Sequence, residues 1–182
     1  MPLLVPPRRP SRERLDDPDL PWEEMRRSLE DIRLVNRHWG GVYALEHHLA
    51  RRIRALGLGR ASVLDVGAGS GDVAGRLRNS LRAAGCDASV IALDLQWRHL
   101  VAGRSLSPHA LPPSVAADAF RMPLADRALD FVVSTLFFHH FSPAENRELL
   151  REFCRVARHG FAVLDLRRHL LPALFVSVAG RA

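Results

Sequence analysis

The sequence predicts an α/β fold: a doubly wound, mostly parallel sheet of about five strands, preceded by helices. From residue 61 onward, short apolar runs alternate with segments of helical periodicity, which is typical of parallel sheets. The runs are apolar throughout, as in strands covered on both faces. Glycines at alternate positions, Gly67, Gly69 and Gly71, join the first run to the helix after it. A chain of 182 residues is expected to form one such domain.

Two helices are predicted ahead of the sheet, as a helical cap in residues 22–60. In the first, apolar residues recur every three or four positions and form one stripe, and the Gly40-Gly41 pair ends the helix. The stripe consists of Met25, Leu29, Ile32, Val35 and Trp39. The second helix is predicted over 42–56. Residues 1–21 are rich in Pro, Arg and Asp, so they are expected to be disordered or loosely packed.

The remaining residues, 61–182, form the predicted sheet domain. Strands are predicted at residues 62–66, 89–93, 115–117, 131–135 and 161–166. Helices are predicted at residues 72–84, 97–104 and 142–157. The last helix starts with a capping box, in which Ser142 is the N-cap, Pro143 lies in the first turn and Glu145 follows three residues on.

The charge distribution gives little support to a nucleic-acid partner. The formal net charge is +6, and all 26 basic residues are arginine. Residues 1–60 hold 12 Arg and 9 acids, and residues 61–182 hold 14 Arg and 11 acids, so the excess is spread evenly. A nucleic-acid-binding protein more often has one basic stripe. We therefore interpret the arginine content as compositional bias.

Membrane, disulfide and metal signals are not found in the sequence. No run reaches the ~18 to 20 apolar residues of a membrane span, and the first ten residues lack the apolar core of a signal peptide. A cytoplasmic protein without a membrane partner is expected. Cys86 and Cys154 have the spacing of neither a disulfide framework nor a metal site, which predicts two buried free thiols and no metal.

The glycine-rich elbow at residues 67–71 predicts a site for a nucleotide-like ligand. Glycine has no Cβ, so a ligand can lie against the main chain there. The helix that begins near Asp72 points its N–H groups at the same place. The dinucleotide fingerprint G-x-G-x-x-G would have its third glycine at position 72, where this chain has Asp72. A nicotinamide cofactor is therefore disfavoured.

Three carboxylates lie at or near the ends of predicted strands. Asp65 comes just before the glycines, Asp94 ends the second strand and Asp118 ends the third. In an open α/β sheet, ligands bind beyond the carboxyl ends of the strands. Each acid alone could cap a helix or face solvent, but their matching positions favour a joint site.

These segments resemble the class I S-adenosylmethionine-dependent methyltransferases, and in particular the type 11, or ubiquinone/menaquinone-methyltransferase-like, group. Val63–Asp72 is similar to the first motif of that family, Ile91–Asp94 to the second and Ala117–Ala119 to the third. The resemblance covers about residues 61–168 and includes the segment from Met122 to Ser134. It implies a Rossmann-like fold, S-adenosylmethionine as cofactor and methyl transfer as the reaction.

The resemblance also implies roles for individual residues. Asp65 would offset the positive charge of the cofactor, and Asp94 would accept hydrogen bonds from its two ribose hydroxyls. Asp118 and the N–H group of Ala119 would read the edge of the adenine. The implied cofactor-binding residues are Asp65, Gly67, Ala68, Gly69, Gly71, Asp94, Leu95, Asp118 and Ala119.

Several residues could serve the methyl acceptor or cover the cofactor. His139 and His140 follow the fourth strand and are candidate general bases, the alternative being a structural or exposed position. His38 and Trp39 could form a lid over the methionine end or belong to an ordinary packing helix. An aromatic group after the fourth strand could line an acceptor pocket, although core packing is favoured: Phe137, Phe138 and Phe141.

The expected acceptor is a small molecule, methylated on oxygen or carbon. The end of the fourth strand lacks the Asn/Asp-Pro-Pro-aromatic signature of DNA-adenine and related amino-methyltransferases. Two alternatives stay open: a catalytically impaired cofactor-binding fragment, and an RNA- or protein-directed methyltransferase. Only about 14 residues follow Arg168, too few for the sixth and seventh strands of the family. The fifth strand is thus expected to be an exposed edge. Either the chain is shortened at its C-terminus, or a second copy or another partner covers this edge.

Overall fold

The computed structural model describes residues 14–38, 41–107 and 111–165. Two helices precede the sheet, α1 (Trp22–His38) and α2 (Gly41–Ala55). Both lie where the apolar stripes predict helices. Met25 and Leu29 of α1 and Ile53 of α2 are almost completely buried. Ile32 and Val35 of the predicted α1 stripe are 37% and 43% exposed, so only the first part of that stripe faces the protein interior.

One sheet of five parallel strands forms the centre of the protein, in the order β3-β2-β1-β4-β5. Its strands are β1 (Arg60–Val66), β2 (Asp87–Asp94), β3 (Ser114–Ala116), β4 (Leu129–Thr135) and β5 (Ala157–Leu164). The helices among them are α3 (Asp72–Ala83), α4 (Trp97–Leu106) and α5 (Pro143–Val156). The strand order reverses between β1 and β4, so the sheet is doubly wound. The predicted fold class is confirmed.

Two apolar layers cover the two faces of this sheet. On one face, Ile53 of α2 and Leu77 of α3 pack in a cluster that includes Val63 of β1. On the other face, Phe153 of α5 packs in a cluster that includes Leu64 of β1. Neighbouring residues of a strand point to opposite faces, so a strand buried on both faces has no polar alternation. This arrangement accounts for the continuous apolar runs in the sequence.

A third, smaller cluster joins α1 to α4 through Leu20, Met25, Leu29 and Ala102. Arg98 of α4 donates hydrogen bonds to the carbonyl oxygens of Pro18 and Leu20. Residues 14–20 are therefore held against α4, although composition predicts a loosely packed segment there. The difference arises from Leu20, an apolar anchor only 3% exposed, which the polar composition of its surroundings obscures.

The transition from α5 to β5 is more abrupt than the sequence predicts. The capping box of α5 is present: Ser142 Oγ accepts the Glu145 N–H, and the Glu145 carboxylate accepts the Ser142 N–H. β5 then starts at Ala157, directly after α5, rather than at residue 161. Its first residues pair with β4 across an irregularity, near which Gly160 has a φ of 139°. That break in the ladder conceals the start of the strand from a pattern-based prediction.

The segment between β3 and β4 contains no helix among its described residues, and Arg155 of α5 organises it. The guanidinium donates to the carbonyl oxygens of Leu124 (2.7 Å) and Met122 (3.2 Å), and it pairs with Asp126 and Glu152. Glu152 in turn accepts the Met122 N–H at 2.8 Å. The hydrogen bond from Arg155 is the main reason that the pKa of Glu152 lies below its usual value.

Asp130 joins three strands at the amino-terminal edge of the sheet. Its Oδ2 accepts the N–H (2.9 Å) and the hydroxyl (2.8 Å) of Ser62 in β1. Its Oδ1 accepts from Arg158 of β5 at 2.9 Å. Burial opposes ionisation of this carboxyl, but the Ser62 hydrogen bonds and the charges of Arg158 and His159 outweigh it and lower its pKa. This contact fixes the register of β1, β4 and β5 at the end opposite the glycine loop.

The two cysteines differ from the sequence expectation in one respect. Cys86 is buried, and its burial raises the pKa of its thiol. Cys154 is exposed on α5, so the prediction of two buried thiols is wrong for this residue. Within the three described ranges, no helix has the length and apolar character needed to cross a bilayer.

Candidate active site at the carboxyl edge of the sheet

The reversal of strand order creates a crevice between the carboxyl ends of β1 and β4. β1 leads into α3 on one face of the sheet, and β4 leads towards α5 on the other. The two chain segments therefore diverge, and ligands of doubly wound sheets bind at such a point. At the base of the crevice, the buried Ser134 hydroxyl at the end of β4 donates to the carbonyl oxygen of Val66 at the end of β1, at 2.8 Å. This hydrogen bond holds the two strand ends together.

The glycine loop, residues 67–71, connects β1 to α3 at this crevice. Gly67, Gly69 and Gly71 have φ values of +70°, +53° and +73°, which glycine adopts without the penalty of a Cβ. A Cβ on Gly67 would lie 2.5 Å from Cγ of Phe137, so that aromatic ring lies directly against the main chain. At Gly69 the nearest atom to such a Cβ is 3.8 Å away, on Leu29 of α1. The bare backbone predicted from sequence is present, and Phe137 is its neighbour on the β4 side.

Asp94 ends β2 and holds the glycine loop in place. Its Oδ2 accepts the Gly69 N–H at 2.7 Å, and its Oδ1 accepts the Gln96 N–H at 2.8 Å. Nδ1 of the buried His99 lies 3.5 Å from Oδ1. An ionised carboxylate can accept about four hydrogen bonds, so acceptor capacity remains for a ligand. Sequence reasoning missed the loop-holding contact, which depends on the loop's three-dimensional path.

Asp65 is a buried acid with an unsatisfied oxygen. The residue is 1% exposed, and its Oδ2 has no hydrogen-bond partner among the described residues. Burial raises its pKa well above the usual value, and the nearby charges of Asp72 and Asp94 raise it further. A backbone hydrogen bond from Ala74 opposes this shift. A buried acceptor that the described residues leave without a partner is suited to a hydrogen-bonding or charged group from a ligand.

Asp65, Asp72 and Asp94 together form an acid cluster around the glycine loop. Asp72 accepts from Asn36 of α1 at 3.2 Å and from the Ser70 hydroxyl at 3.1 Å. Within the described part of the chain, no arginine forms an ion pair with any of the three acids. Carboxylates brought together in this way repel one another, and a cation bound among them would relieve that repulsion. The cluster therefore fits a positively charged ligand.

The residues implied for the adenine lie next to Asp94. The Ala117 N–H donates to the Asp94 carbonyl oxygen at 3.0 Å, which brings the chain after β3 beside the end of β2. Asp118 is exposed and its Oδ1 accepts the Phe120 N–H, whereas Ala119 is buried. Leu95 is 67% exposed, an apolar side chain at the rim of the crevice. These residues thus surround one end of the crevice without closing it.

The chain after β4 brings an acid to the predicted histidines. Nδ1 of His139 lies 2.8 Å from Oδ1 of Asp165, and the His139 N–H donates to Oδ2 at 2.9 Å. The His139 and His140 rings have centroids 4.3 Å apart, and His140 is 6.3 Å from Phe137. The histidines therefore lie on the same side of the sheet as the glycine loop. Asp165 was missed in the sequence because its spacing from His139 follows no local pattern.

The aromatic side chains after β4 belong to the edge of the core. Phe137 and Phe141 have centroids 4.8 Å apart, and Phe138 packs against Phe153 of α5 at 5.5 Å. All three are partly buried against the cluster on the α5 face. The core interpretation favoured by the sequence therefore holds for Phe138, while Phe137 also reaches the glycine loop.

Among the described residues of α1, Leu29 and Asn36 reach the glycine loop and its flank. Leu29 lies over Gly69, and Asn36 donates to Asp72. His38 is exposed, and its Nδ1 lies 2.9 Å from the carbonyl oxygen of Leu34 in the same helix. Trp39, the other half of the predicted lid, lies outside the described residues.

A separate groove of about 850 Å³ runs between α1 and α3. Arg33 and Arg37 line it on the α1 side, and Arg76 and Asn79 on the α3 side. Three of its described lining residues adjoin the glycine loop: Asp72, Gly75 and Leu111. The Gly75 N–H donates to the Gly71 carbonyl oxygen at 3.1 Å, and Leu111 lies 3.8 Å from where a Cβ on Gly71 would be. The crevice is the candidate active site because the unsatisfied acid, the bare backbone and the histidines meet there.

Comparison with known proteins identifies relatives. A 34% identical match over 127 residues, 67% of this chain, is the malonyl-[acyl-carrier protein] O-methyltransferase of Methylococcus capsulatus. The chain spans 44% of the length of that relative.

Among solved structures, a protein of Methanococcus maripaludis assigned as an S-adenosyl-L-methionine-dependent methyltransferase matches 94% of this chain and 74% of its own, with a TM-score of 0.55 and 15% identity. A protein of Bacillus halodurans assigned as a methyltransferase matches 73% of this chain and 58% of its own, with a TM-score of 0.50 and 25% identity. These likenesses agree with the observed fold.

A domain family described as "Methyltransferase domain" matches residues 63–160, which is more than half of the chain and contains the glycine loop, Asp94 and both histidines. The chain therefore belongs to this methyltransferase family, whose cofactor is S-adenosylmethionine.

Proposed function

We propose that this protein transfers a methyl group from S-adenosylmethionine to a small-molecule acceptor, on oxygen or carbon. The observation that carries the proposal is the acid cluster beside the bare glycine loop, with an unsatisfied, buried Asp65 oxygen. S-adenosylmethionine is a cation with both a sulfonium and an ammonium group, so its charge complements this cluster. When bound, the cofactor supplies a methyl group on a sulfur that leaves readily as a neutral thioether.

The residues of the chain bind and orient the donor. The carboxylate of Asp94 accepts the ribose hydroxyls with the capacity that Gly69 and Gln96 leave. The glycine loop lets the ligand approach the main chain, and Asp65 compensates positive charge from beneath. The exposed side chain of Leu95 provides apolar surface for the adenine, and Asp118 with the Ala119 N–H lies at its polar edge. Aligning donor and acceptor in this way is itself a large catalytic contribution.

The acceptor site is assigned to the segment after β4. An acceptor hydroxyl must lose a proton during transfer, and His139 and His140 are the candidate bases on this side of the crevice. Phe137 presents an apolar ring between these histidines and Gly67. The name of the Methylococcus relative describes methylation of an oxygen, which supports an O-methyltransferase more than a C-methyltransferase.

A binding experiment tests the cofactor site. Asp94→Asn should weaken S-adenosylmethionine binding about tenfold or more, equivalent to about 1.4 kcal/mol, as measured by isothermal titration calorimetry. Asp87→Asn is the matched control, because Asp87 lies at the opposite end of the same strand and pairs only with the exposed Arg60 among the described residues. Equal affinities for Asp94→Asn and the wild type would remove Asp94 from the ribose role.

Transfer of a labelled methyl group then separates the classes of acceptor. Labelling of small hydroxyl or carboxyl compounds supports the proposal. Cofactor binding without turnover of any acceptor would instead indicate a catalytically impaired binding module. Turnover on RNA that falls steeply with salt, or turnover on protein, would replace the small-molecule assignment.

Association of copies or a partner through the outer edge of β5 stays a prediction. Sedimentation velocity over a range of protein concentrations measures it.

A further inference from the structure

Asp165 stands at the end of β5 and makes two hydrogen bonds to one residue. Its Oδ2 accepts the main-chain N–H of His139 at 2.9 Å, and its Oδ1 lies 2.8 Å from Nδ1 of the His139 ring. The Asp165 side chain is only 16% exposed and that of His139 is 28% exposed. The carboxylate therefore fixes both the backbone and the ring orientation of His139, in surroundings that shield the contact from solvent.

The backbone where the chain leaves β4 explains why the His139–Asp165 pair forms. Leu136, the first residue after β4, has a φ of +54°, which is uncommon for a residue with a side chain. Its N–H donates to the Leu164 carbonyl oxygen at 2.8 Å, directly before Asp165. This bond sets the position of the β4 exit relative to the end of β5. A backbone conformation of this kind persists where surrounding contacts hold it, and it is enriched at functional sites.

We propose that Asp165 is a positioning residue that holds His139 as the Nδ1–H tautomer, so that Nε2 is the base that removes the acceptor proton. An ionised carboxylate only accepts hydrogen bonds, so the ring nitrogen facing it must carry the hydrogen. The neutral ring then has its lone pair on Nε2. This inference rests on the proposed function, since a base is needed only if the acceptor loses a proton.

The step balances as an in-line displacement. The acceptor O–H gives its proton to Nε2 of His139, and the acceptor oxygen forms a bond to the methyl carbon as the carbon–sulfur bond breaks. The electron pair of that bond goes to sulfur, which becomes a neutral thioether. The imidazolium formed on His139 is stabilised by the carboxylate of Asp165, as in other histidine–carboxylate pairs.

The first test measures the tautomer of His139 directly. In wild-type protein with bound S-adenosylhomocysteine, ¹⁵N NMR of the histidine rings should find neutral His139 mainly as the Nδ1–H tautomer, with His139→Gln used to assign its signals. Asp165→Asn should shift the population towards Nε2–H, because an amide no longer requires a donor at Nδ1. A wild-type His139 that is mainly Nε2–H would overturn the proposal.

The second test uses kinetics. Asp165→Asn should lower kcat by roughly 100-fold, within the range known for general-base catalysis and for loss of a tautomer-fixing acid. The affinity for S-adenosylmethionine should change by no more than about twofold, because Asp165 acts on the acceptor side through His139. A tenfold change, which corresponds to ~1.4 kcal/mol, would place Asp165 in the cofactor site instead. The acid limb of the pH–rate profile should move to lower pH, because the imidazolium loses its stabilising carboxylate. Asp165→Glu should recover part of the rate.

The outcomes separate this inference from the proposed function. A wild-type protein that binds no cofactor would contradict the proposed function, while the same NMR experiment on the ligand-free protein would still decide the tautomer. An Asp165→Asn enzyme with unchanged kcat and pH profile would overturn the role of Asp165. Equal loss in Asp165→Asn, His139→Gln and the double variant would support it, because the two residues then act as one unit.

Discussion

At the scale of single residues, the site is arranged for ligand binding at the expense of stability. Asp65 is buried, forms no ion pair with a described arginine, and lies near two further acids, Asp72 and Asp94. Gly67 lies so close to Phe137 that no side chain fits there. Such features reduce the stability of a protein without its ligand, and they persist where binding or catalysis needs them.

Asp65→Asn should therefore have opposite effects on stability and binding. The amide carries no charge, so we expect it to stabilise the cofactor-free protein by about 1 kcal/mol or more, on the scale of removing an unsatisfied buried group. The same variant should bind S-adenosylmethionine at least tenfold more weakly, or ~1.4 kcal/mol. Urea unfolding and calorimetry measure the two effects. A destabilised variant with normal affinity would contradict this account of the acid cluster.

The stability gain of Asp65→Asn should depend on pH in one direction. The folded-state pKa of Asp65 is raised, so the folded protein holds its proton to higher pH than the unfolded chain does. The wild type therefore becomes less stable relative to the variant as pH rises. The loss begins near the pKa of Asp65 in the unfolded chain, about 3.9, and continues through its raised pKa in the folded protein. The difference should vanish below that window and be largest above it, in unfolding curves over a pH series.

Gly67→Ala should destabilise the protein more than an equivalent change at Gly57. The φ values are +70° and +68°, so both variants carry the same left-handed strain, about 1–2 kcal/mol. At Gly57 a Cβ meets nothing within 4 Å, whereas at Gly67 it overlaps the ring of Phe137. The difference between the two unfolding free energies measures the contact. Adding Phe137→Ala to Gly67→Ala should reduce that difference, and equal costs at both glycines would refute the close approach.

At the scale of elements, the carboxyl edge of the sheet carries the site and the amino-terminal edge carries a structural clamp. Asp130 ties β4 to Ser62 of β1 and to Arg158 of β5. Its contacts satisfy hydrogen-bond donors on both neighbouring strands of β4. This clamp holds in register the same strands whose opposite ends present the glycine loop and Asp165.

Asp130→Asn should lower the free energy of unfolding by about 1.5–3 kcal/mol, the scale of hydrogen bonds to a charged group, without a loss of cofactor affinity. The folded-state pKa of Asp130 is lowered, so its contribution is present above the unfolded pKa and is lost as pH falls through the folded value. Chemical denaturation at neutral and acid pH measures both effects. A variant whose deficit persists unchanged at low pH would show that the carboxylate charge is not the cause.

Sequence patterns predicted elements better than contacts between them. The apolar runs, the capping box at Ser142 and the glycines depend on local chemistry, so each could be located before the structure was known. The start of β5 could not, because a ladder irregularity interrupts its pattern. Asp165 and Asn36 could not be assigned either, because their partners are far away in sequence. Asp165 is 26 residues from His139, and Asn36 is 36 residues from Asp72. The sequence does not show how α1 packs on the glycine loop, so it did not indicate that Leu29, rather than His38, lies over Gly69.

At the scale of the whole molecule, the five-stranded sheet presents one ligand-binding edge. The carboxyl ends of β1, β2 and β4 bring the acid cluster, the glycine loop and the His139–Asp165 pair to that edge, while α1 covers part of it. The groove between α1 and α3 lies beside this assembly, and Asp72 of the acid cluster is part of its lining. The cofactor is therefore expected to bind at this edge and not in the groove.

The most direct measurement is a crystal structure of the protein with S-adenosylhomocysteine. We expect the ligand between the glycine loop and the end of β2, with its ribose hydroxyls on the Asp94 carboxylate and its amino group on the side of Asp65. A ligand bound in the groove between α1 and α3, or a crevice that stays empty at saturating ligand, would contradict the assignment.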